Sequence, residues 1–314
     1  KVPGVYDGLT ARLVDQAGFN AAFVSGAGIA FARFGQPDMG LVTASEMVDS
    51  IAIIRDCTKL PLIVDMDAGF GNALNVERSV RTFERAGASA LQMEDQLMPK
   101  RCGHMAGKQV IACEDMEGKI KAALDSRQNE DTIIIARTDA LGVNGFDDAI
   151  ERSHRYLEVG ADVLFIEAPK NLEQMKIIAA TFGARAPLAH NLVEGAGSFV
   201  TGSGGLESLG YKIALYPVAL LHAFVPQAEQ LLQHILKEGQ THDWKGSMVN
   251  ISYMNDLLGA SELIAKSKIN VDISDEDYAR CKAFEEVNTE YDPDAVNNFK
   301  IDEYITPDSE KKCT

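Results

Sequence analysis

Cysteine is scarce in this chain, and its placement excludes two classes of protein. Five cysteines occur in 314 residues, at positions 57, 102, 113, 281 and 313, with no CxxC pair and no tight spacing. Disulfide frameworks and structural zinc sites both need cysteines in closely spaced sets. We therefore expect neither, and the composition fits a reducing compartment.

Positive charge is also in short supply. Lysine and arginine number 30 against 46 aspartates and glutamates, which gives a formal net charge of −16. Such a field repels nucleic acid and anionic membrane surfaces, so we expect neither as a partner. It also repels an anionic substrate, which would need local cations or a metal ion at its binding site.

Long apolar runs are missing as well. No stretch reaches the length of a membrane span, and no signal peptide is visible. A cytoplasmic location is therefore expected. The chain begins at Lys1 rather than Met, which leaves open an organellar targeting segment before it.

What the chain does contain is a series of short apolar runs, each followed by Gly, Asp or Asn and then by a segment with helical periodicity. There are eight such runs, at residues 2–7, 21–26, 61–65, 90–94, 132–138, 162–168, 187–193 and 211–217. Their nearly continuous hydrophobicity is typical of parallel strands buried on both faces. Eight strand-helix repeats predict an α/β fold of the (β/α)₈ TIM-barrel type in preference to a doubly wound sheet.

The segments between the strands predict crossover helices, for example at 75–86, 146–159 and 171–182. Asn75 and Asn171 are the expected capping residues, and Gly87 and Gly160 the expected ends of two of these helices. Beyond the eighth strand we expect helices only, at 225–237, 248–259 and 274–287. These give one barrel domain over residues 1–290 with extra C-terminal helices, followed by an irregular tail over 291–314.

Polar residues follow the predicted strands at the C-terminal mouth of the barrel, where active sites of this fold lie. They are Tyr6, Asp7, Ser25, Gly26, Asp65, Asp67, Glu94, Asp95, Arg137, Asp139, Glu167, His190, Asn191, Glu194 and Tyr216. For Asp7 and Asp139 we expect only a loop or helix-capping role. The other carboxylates converge on one mouth, so they must be paired, protonated or bound to a cation.

Hard oxygen ligands without a His or Cys cluster indicate Mg²⁺, or else Mn²⁺, rather than zinc. Because Mg²⁺ retains several waters, we expect one directly bound carboxylate, Asp65. Arg137 is the expected bidentate partner of a substrate carboxylate, the alternative being a structural ion pair with Glu167 or Asp139. The Gly-rich turn at 25–28 could offer backbone amides to a second anionic group.

The most informative segment is the loop Lys100-Arg101-Cys102-Gly103-His104, which continues to Lys108. Four basic or potentially basic residues around one cysteine create an electropositive setting that lowers the pKa of a thiol. Cys102 could therefore exchange a proton near neutral pH, and glycines at 103 and 107 would let the loop act as a lid. The alternative is a solvated basic loop with an incidental cysteine.

This loop resembles the Lys-Lys/Arg-Cys-Gly-His signature of the isocitrate lyase and phosphoenolpyruvate mutase superfamily. Further segments resemble that superfamily in the same order: Ser25-Gly26, Pro37-Asp38, residues 65–71, Glu94-Asp95-Gln96, residues 136–139, residues 166–168 and Asn191. The resemblance spans residues 2–270. It implies a divalent-metal lyase and a homotetramer in which a C-terminal helix is exchanged between subunits.

The resemblance also implies roles for individual residues. Cys102 would be the acid that protonates the departing carbanion, with Arg137, Glu167 and Tyr6 as further catalytic residues. The metal region would be Asp38, Asp65, Asp67 and Glu94. Substrate contacts would come from Tyr6, Ser25, Gly26, Ala27, Lys100, Cys102, Gly103, His104, Arg137, Glu167, Asn191 and Pro217.

The substrate is narrowed by one departure from the superfamily pattern. Met105 follows the signature His where an Arg is typical of 2-methylisocitrate lyases, which favours a small dicarboxylate. The last strand is poor in partners for the second hydroxyl of hydrated oxaloacetate, unless Tyr216 supplies one, and an unpaired hydroxyl costs about 1 to 3 kcal/mol. We therefore expect a 2-alkylmalate-type lyase acting on 2,3-dimethylmalate.

Three other interpretations stay open. Two are enzymes of the same superfamily, an oxaloacetate acetylhydrolase that releases oxalate and acetate, and a 2-methylisocitrate lyase. The third is a non-catalytic barrel that binds a metal and a carboxylate, which would need the metal ligands but not the acid.

Overall fold

The computed structural model describes residues 1–103, 105, 107–195 and 199–270. The chain forms two compact units, Lys1–Asn250 and Ile251–Thr314, and the second is described as far as residue 270. The expected helix at 274–287 and the expected tail at 291–314 lie outside the described residues. No helix among the described residues is both long enough and apolar enough to cross a membrane.

The first unit is a closed barrel of eight parallel strands in sequence order, which confirms the predicted fold. The strands are β1 (Val2–Val5), β2 (Ala22–Val24), β3 (Leu62–Asp65), β4 (Ala90–Glu94), β5 (Ile133–Thr138), β6 (Val163–Ile166), β7 (Leu188–Asn191) and β8 (Ile213–Tyr216). The barrel closes where Val2 of β1 pairs with Leu215 of β8. Gly4 permits this closure, because a Cβ there would lie 2.0 Å from the Pro217 carbonyl oxygen.

Helices cover the outside of the barrel. In chain order they are α1 (Gly8–Gln16), α2 (Gly26–Phe34), α3 (Ala44–Cys57), α4 (Ala73–Ala86), α5 (Cys113–Ser126), α6 (Ala140–Val143), α7 (Phe146–Val159), α8 (Leu172–Phe182), α9 (Gly202–Leu209) and α10 (Ala219–Glu238). The second unit contains α11 (Ile251–Leu257) and α12 (Ala260–Asn270).

The capping predictions are confirmed at three of four positions. Asn171 caps α8 by accepting from the Gln174 amide, and Gly87 and Gly160 end α4 and α7 in the left-handed conformation. Asn75 is not a cap, because α4 begins earlier. Asn72 is the N-cap, and the two asparagine side chains accept from each other's backbone amides as a reciprocal capping box.

The helices after the barrel differ from the prediction in their boundaries. The helix expected at 225–237 is part of the longer α10, which continues through Pro226. The helix expected at 248–259 is shorter, since α11 spans Ile251–Leu257, and α12 follows it after only two residues. Pro226 and Gly259 both resemble helix boundaries in the sequence. Pro226 lies inside α10, whereas Gly259 lies between α11 and α12.

Alternating strand residues divide the core into two layers. One apolar cluster fills the barrel interior, and a second, larger cluster lies between strands and helices. On β4 the inward face runs Ala90, Gln92, Glu94, so it changes from apolar to polar toward the C-terminal end of the strand. The site is therefore built on the same rigid strands as the core.

Candidate active site

A cavity lies at the C-terminal ends of the strands, and it gathers most of the predicted site residues. Those lining it are Ser25, Ala27, Asp38, Asp65, Glu94, Lys100, Cys102, Gly103, Arg137, Asn191 and Pro217. Gly26, Asp67 and Glu167 contact members of this set. Tyr6 lines a neighbouring cavity with Asp7 and Arg33, although it packs beside Ser25 against Gly28, and His104 lies outside the described residues.

The predicted metal residues form a buried carboxylate cluster around one lysine. Asp38, Asp67 and Glu94 are each buried. The Lys100 ammonium donates to Asp38 Oδ1 and lies 2.7 Å from Asp67 Oδ1. The Asp67 amide donates to Asp65 Oδ1 at 3.1 Å, and its positive φ of 47° marks the bend that brings the two aspartates together.

The electrostatics of this cluster call for a further cation. Burial raises the pKa of Asp67 to about 7, against the opposing charge of Lys100 and with help from Asp65 and Asp38. Burial also raises the pKa of Glu94 well above its ordinary value. For Lys100, burial lowers the pKa but the surrounding carboxylates raise it further, so the side chain stays an ammonium. Four carboxylates therefore face Lys100 and the Arg137 guanidinium beside Glu94, which leaves an excess of negative charge.

The donor set fits a hydrated Mg²⁺ or Mn²⁺. Within the described residues, Glu94 Oε1 and Gln92 Oε1 are buried and receive no hydrogen bond, and both residues line the cavity beside Asp65. No three His, Cys, Asp or Glu side chains in the described part of the chain are placed to chelate an ion together. One direct carboxylate with waters between the ion and the other acceptors is the coordination that Mg²⁺ favours.

Gly26 keeps room for Asp65. A Cβ at Gly26 would lie 2.9 Å from Asp65 Oδ2, closer than a Cβ approaches a neighbouring atom in proteins. The same turn begins α2, where Ser25 caps the helix by accepting from the Gly28 amide at 3.0 Å. The positive end of the α2 dipole therefore lies at the cavity, where it favours an anion.

Arg137 extends from the end of β5 into a ring of carboxylates. Its Nε lies 2.9 Å from Asp139 Oδ2 and 3.2 Å from Glu94 Oε2, and its Nη2 lies 3.6 Å from Glu167 Oε2. Burial lowers the pKa of Arg137, but the neighbouring carboxylates outweigh it and raise the pKa well above its ordinary value. The structural ion pairs weighed from the sequence are thus present, in a residue that also lines the cavity.

The two aspartates expected to act as loop or cap residues behave differently. Asp7 caps α1 by accepting from the Thr10 amide at 2.7 Å, which confirms the prediction. For Asp139 the prediction is wrong. This residue is fully buried and makes no side-chain cap, because its carboxylate is taken up by Arg137 and by Lys108.

The Cys102 loop is tied to the barrel by hydrogen bonds. The Gln96 side chain accepts from the Arg101 amide at 3.0 Å and donates to its carbonyl at 2.8 Å. The Cys102 amide donates to the Asp38 carbonyl at 3.1 Å. Cys102 is half-buried and lines the same cavity as Arg137 and Asp65.

A second buried network lies behind the cavity and was only partly predicted. The Asp95 carboxylate accepts from Thr138 Oγ1 at 2.7 Å, from the Asp139 amide at 2.9 Å and from the Tyr156 hydroxyl at 2.8 Å. Arg152 Nη1 approaches it at 3.3 Å. Burial raises the pKa of Asp95, although these hydrogen bonds oppose the shift. Tyr156 and Arg152 were missed; their spacing of four on the buried face of α7 is the signal.

Other cavity residues were also missed from the sequence. Gln92 alternates with Ala90 and Glu94 on β4, so its period of two is the signal that it faces inward. The remaining ones are Phe23, Phe31, Arg101, Val193, Val218 and His222. Met105, used above to narrow the substrate, is 40% exposed.

Comparison with known proteins agrees with the fold and identifies the family. A family model described as phosphoenolpyruvate phosphomutase matches residues 1–236. The chain is 42% identical over 261 residues to 2,3-dimethylmalate lyase of Eubacterium barkeri, covering 83% of this chain and 90% of that protein. It is 43% identical over 258 residues to 2-methylisocitrate lyase of Aeropyrum pernix, covering 82% of each.

Two solved structures share the fold over most of their length. The structure of 2,3-dimethylmalate lyase, described as a PEP mutase/isocitrate lyase superfamily member, superposes with a TM-score of 0.79 at 30% identity, covering 84% of this chain and 88% of that one. Oxaloacetate acetylhydrolase bound to 3,3-difluorooxalacetate superposes with a TM-score of 0.80 at 32% identity, covering 85% and 91%. The chain therefore belongs to the phosphoenolpyruvate mutase/isocitrate lyase superfamily.

Proposed function

We propose that this protein is a divalent-cation-dependent carbon–carbon lyase that cleaves a 2-hydroxy dicarboxylate of the 2-alkylmalate type. The lead substrate is 2,3-dimethylmalate, which would give pyruvate and propionate. The observation that carries the proposal is that Cys102, Arg137 and Asp65 line one cavity at the strand ends. These three supply an acid, a carboxylate partner and a metal ligand for one small molecule.

The residues divide the reaction between them. Arg137 and the positive end of α2 bind the substrate carboxylates. The 2-hydroxyl loses its proton, for which the cavity offers carboxylate acceptors, and the bond between carbons 2 and 3 breaks. Cys102 then gives a proton to the carbanion at carbon 3. When bound at Asp65, with Asp38, Asp67 and Glu94 holding its waters, Mg²⁺ supplies Lewis acidity to the 2-hydroxyl and adjoining carboxylate.

The choice of a 2-alkylmalate rests on the apolar part of the cavity. Phe23, Val193, Pro217 and Val218 contribute apolar lining to the cavity, and such a surface suits an alkyl group better than a hydroxyl. The 42% identity to a 2,3-dimethylmalate lyase supports the same substrate. Met105 gives little further support, since it is 40% exposed and does not line the cavity.

Oxaloacetate hydrolysis is the second candidate, favoured by the TM-score of 0.80 with oxaloacetate acetylhydrolase. 2-Methylisocitrate cleavage is the third, favoured by the 43% identity to a 2-methylisocitrate lyase. All three reactions use the same metal ligands and acid. They differ in the group that meets the apolar part of the cavity.

Offering the three substrates separately to the purified protein with Mg²⁺ tests the proposal. We expect 2,3-dimethylmalate to be cleaved fastest, with pyruvate and propionate measured as products. Oxalate and acetate formed from oxaloacetate at a higher rate would overturn the substrate assignment. EDTA should abolish turnover and added Mg²⁺ or Mn²⁺ should restore it. Activity that persists in EDTA would remove the metal from the proposal.

A further inference from the structure

We infer that Lys108 is a positioning residue that fixes the Gly103 peptide and thereby holds the Cys102 thiol over the cavity. The inference rests on the proposed function in taking Cys102 as the acid. It concerns a residue that sequence reasoning treated only as part of a basic loop.

Lys108 makes two contacts from a buried position. Its Nζ donates to the Gly103 carbonyl oxygen at 2.5 Å and pairs with Asp139 Oδ1 at 2.7 Å. The Lys108 side chain is only 7% exposed, and Asp139 is fully buried. A lysine withdrawn from water to this degree is held by its partners in one geometry, because an unsatisfied ammonium would be costly there.

Gly103 leaves no space for a side chain at this position. A Cβ at Gly103 would lie 2.6 Å from Arg137 Nη2 and 3.0 Å from Glu167 Cδ. The peptide therefore packs directly on the group assigned to the substrate carboxylate. Since glycine has no side chain to anchor, its position is set through its backbone, and Lys108 contacts that backbone at the carbonyl oxygen.

Lys108 completes a set of backbone contacts on both sides of the thiol. Before it, the Gln96 side chain brackets Arg101, and the Cys102 amide donates to the Asp38 carbonyl. After it, Lys108 joins the Gly103 carbonyl to the Asp139 carboxylate, which directly follows β5. Loss of Lys108 would remove this downstream contact while the upstream contacts persist.

The charge of Lys108 also couples the acid to the arginine. Asp139 accepts from Lys108 and from both Nε and Nη2 of Arg137. Burial would raise the pKa of Asp139, but these two cations lower it below its ordinary value. The backbone N–H of Asp139 in turn donates a hydrogen bond to the Asp95 carboxylate. One anchored carboxylate therefore sets both the Cys102 loop and Arg137.

Lys108→Met tests this inference, with Lys121→Met as the matched control because Lys121 is an exposed lysine on α5. The first measurement is the alkylation rate of Cys102 by iodoacetamide, located by peptide mass spectrometry. It does not depend on the substrate. We expect Lys108→Met to change this rate several-fold, because release of the Gly103 peptide alters the access of the reagent to the thiol. The rate in the control should equal that of the wild type.

The second measurement separates positioning from stability. For the substrate that the wild type turns over, we expect kcat to fall about 10²-fold in Lys108→Met with KM within about threefold, the loss typical of a group displaced by about 1 Å. Lys108→Arg should recover part of kcat, since guanidinium can also bridge a carbonyl and a carboxylate. Urea midpoints report whether each variant is folded under the assay conditions.

Two results would overturn the inference. One is a folded Lys108→Met protein whose Cys102 is alkylated at the control rate. The other is a kcat equal to that of Lys121→Met. If the wild type turns over none of the three dicarboxylates, the proposed function fails, yet the alkylation comparison still decides the role of Lys108.

Discussion

Replacing Cys102 by Ser removes an acidic thiol and leaves a side chain of similar shape. A serine hydroxyl is a far weaker acid, so we expect kcat to fall by about 10² to 10⁴, the usual contribution of a general acid. Mg²⁺ affinity, measured by calorimetry, should stay within about twofold because the carboxylates are untouched. Cys57→Ser, on α3, is the control.

Turnover that survives Cys102→Ser with intact metal binding would mean that another group is the acid. Absence of turnover in the wild type, with the metal still bound, would instead favour the non-catalytic metal- and carboxylate-binding barrel. The two results can be told apart because calorimetry measures metal binding, whereas turnover also requires the acid.

Gly26→Ala probes the space beside the proposed metal ligand. The added Cβ would lie 2.9 Å from Asp65 Oδ2, so the carboxylate must move. We expect Mg²⁺ affinity to fall about 10-fold, near the lower end of the loss seen when a ligand's support is disturbed. Gly118→Ala is the control, because a Cβ at Gly118 on α5 meets nothing within 4 Å. Equal affinities in calorimetry would remove Asp65 as the direct ligand.

At the level of single residues, the sequence predicted the members of the site better than their contacts. Cys102, Arg137 and Asp65 were recognised because strand ends and an unusual basic loop mark them. Asp139 was misjudged because a carboxylate just past a strand looks the same whether it caps a helix or meets a buried arginine. Lys108 was overlooked as a positioning residue because its ion-pair partner, Asp139, lies far from it in the sequence and is brought to it only by folding.

Among the elements, α5 supports the loop after β3, which carries Asp67. Lys119 of α5 donates from its Nζ to the Ala68 carbonyl at 2.8 Å, next to Asp67. The residue is buried, and burial lowers the pKa of Lys119 below its ordinary value of 10.5, with Asp115 opposing. The contact couples a surface helix to the shape of the loop between β3 and α4.

The lowered pKa of Lys119 predicts a pH-dependent stability. Between the lowered pKa and 10.5 the unfolded chain binds more protons than the folded one, so this group makes the free energy of unfolding rise with pH. Lys119→Met abolishes that contribution. We therefore expect the wild type to gain stability relative to Lys119→Met between about pH 7 and about pH 10.

Urea unfolding midpoints of both proteins at the two pH values measure this difference. Lys121→Met, an exposed position on the same helix, should track the wild type. A stability difference that stays constant or shrinks as the pH rises would contradict the lowered pKa.

At the level of helices and strands, the sequence was most informative for the strands, because strands that are buried on both faces are nearly continuous apolar runs. All eight strands lie within the predicted runs, but most are shorter because pairing stops where the chain turns toward the cavity. The start of α4 was misplaced because Asn72 and Asn75 are both good caps, and only the reciprocal bonds decide between them. The start of α10 was misplaced because Pro226 inside a helix is indistinguishable in sequence from a first-turn proline.

For the whole molecule, the homotetramer remains a prediction. The α10 surface is apolar in the single chain, with Leu236 82% exposed, Leu232 63% and Phe224 61%. Such a surface is typical of a subunit contact. Light scattering should give a mass of four times 34.1 kDa, and Leu236→Glu should shift the protein to smaller species. Lys237→Glu is the control on the same helix, and a monomeric wild type would contradict the prediction.

The closing pair of the barrel has a consequence for synthesis on the ribosome. Val2 and Pro3 pair with Leu215 and Tyr216, so β1 emerges first and finds its last neighbour only when β8 has left the exit tunnel. Until then the nascent sheet carries two open edges, and open edges recruit foreign strands. Long-range parallel pairing is also slow. Chains released before β8 is complete, and chains stalled before β8 has left the tunnel, should therefore be the species most prone to aggregate, whatever the stability of the finished barrel.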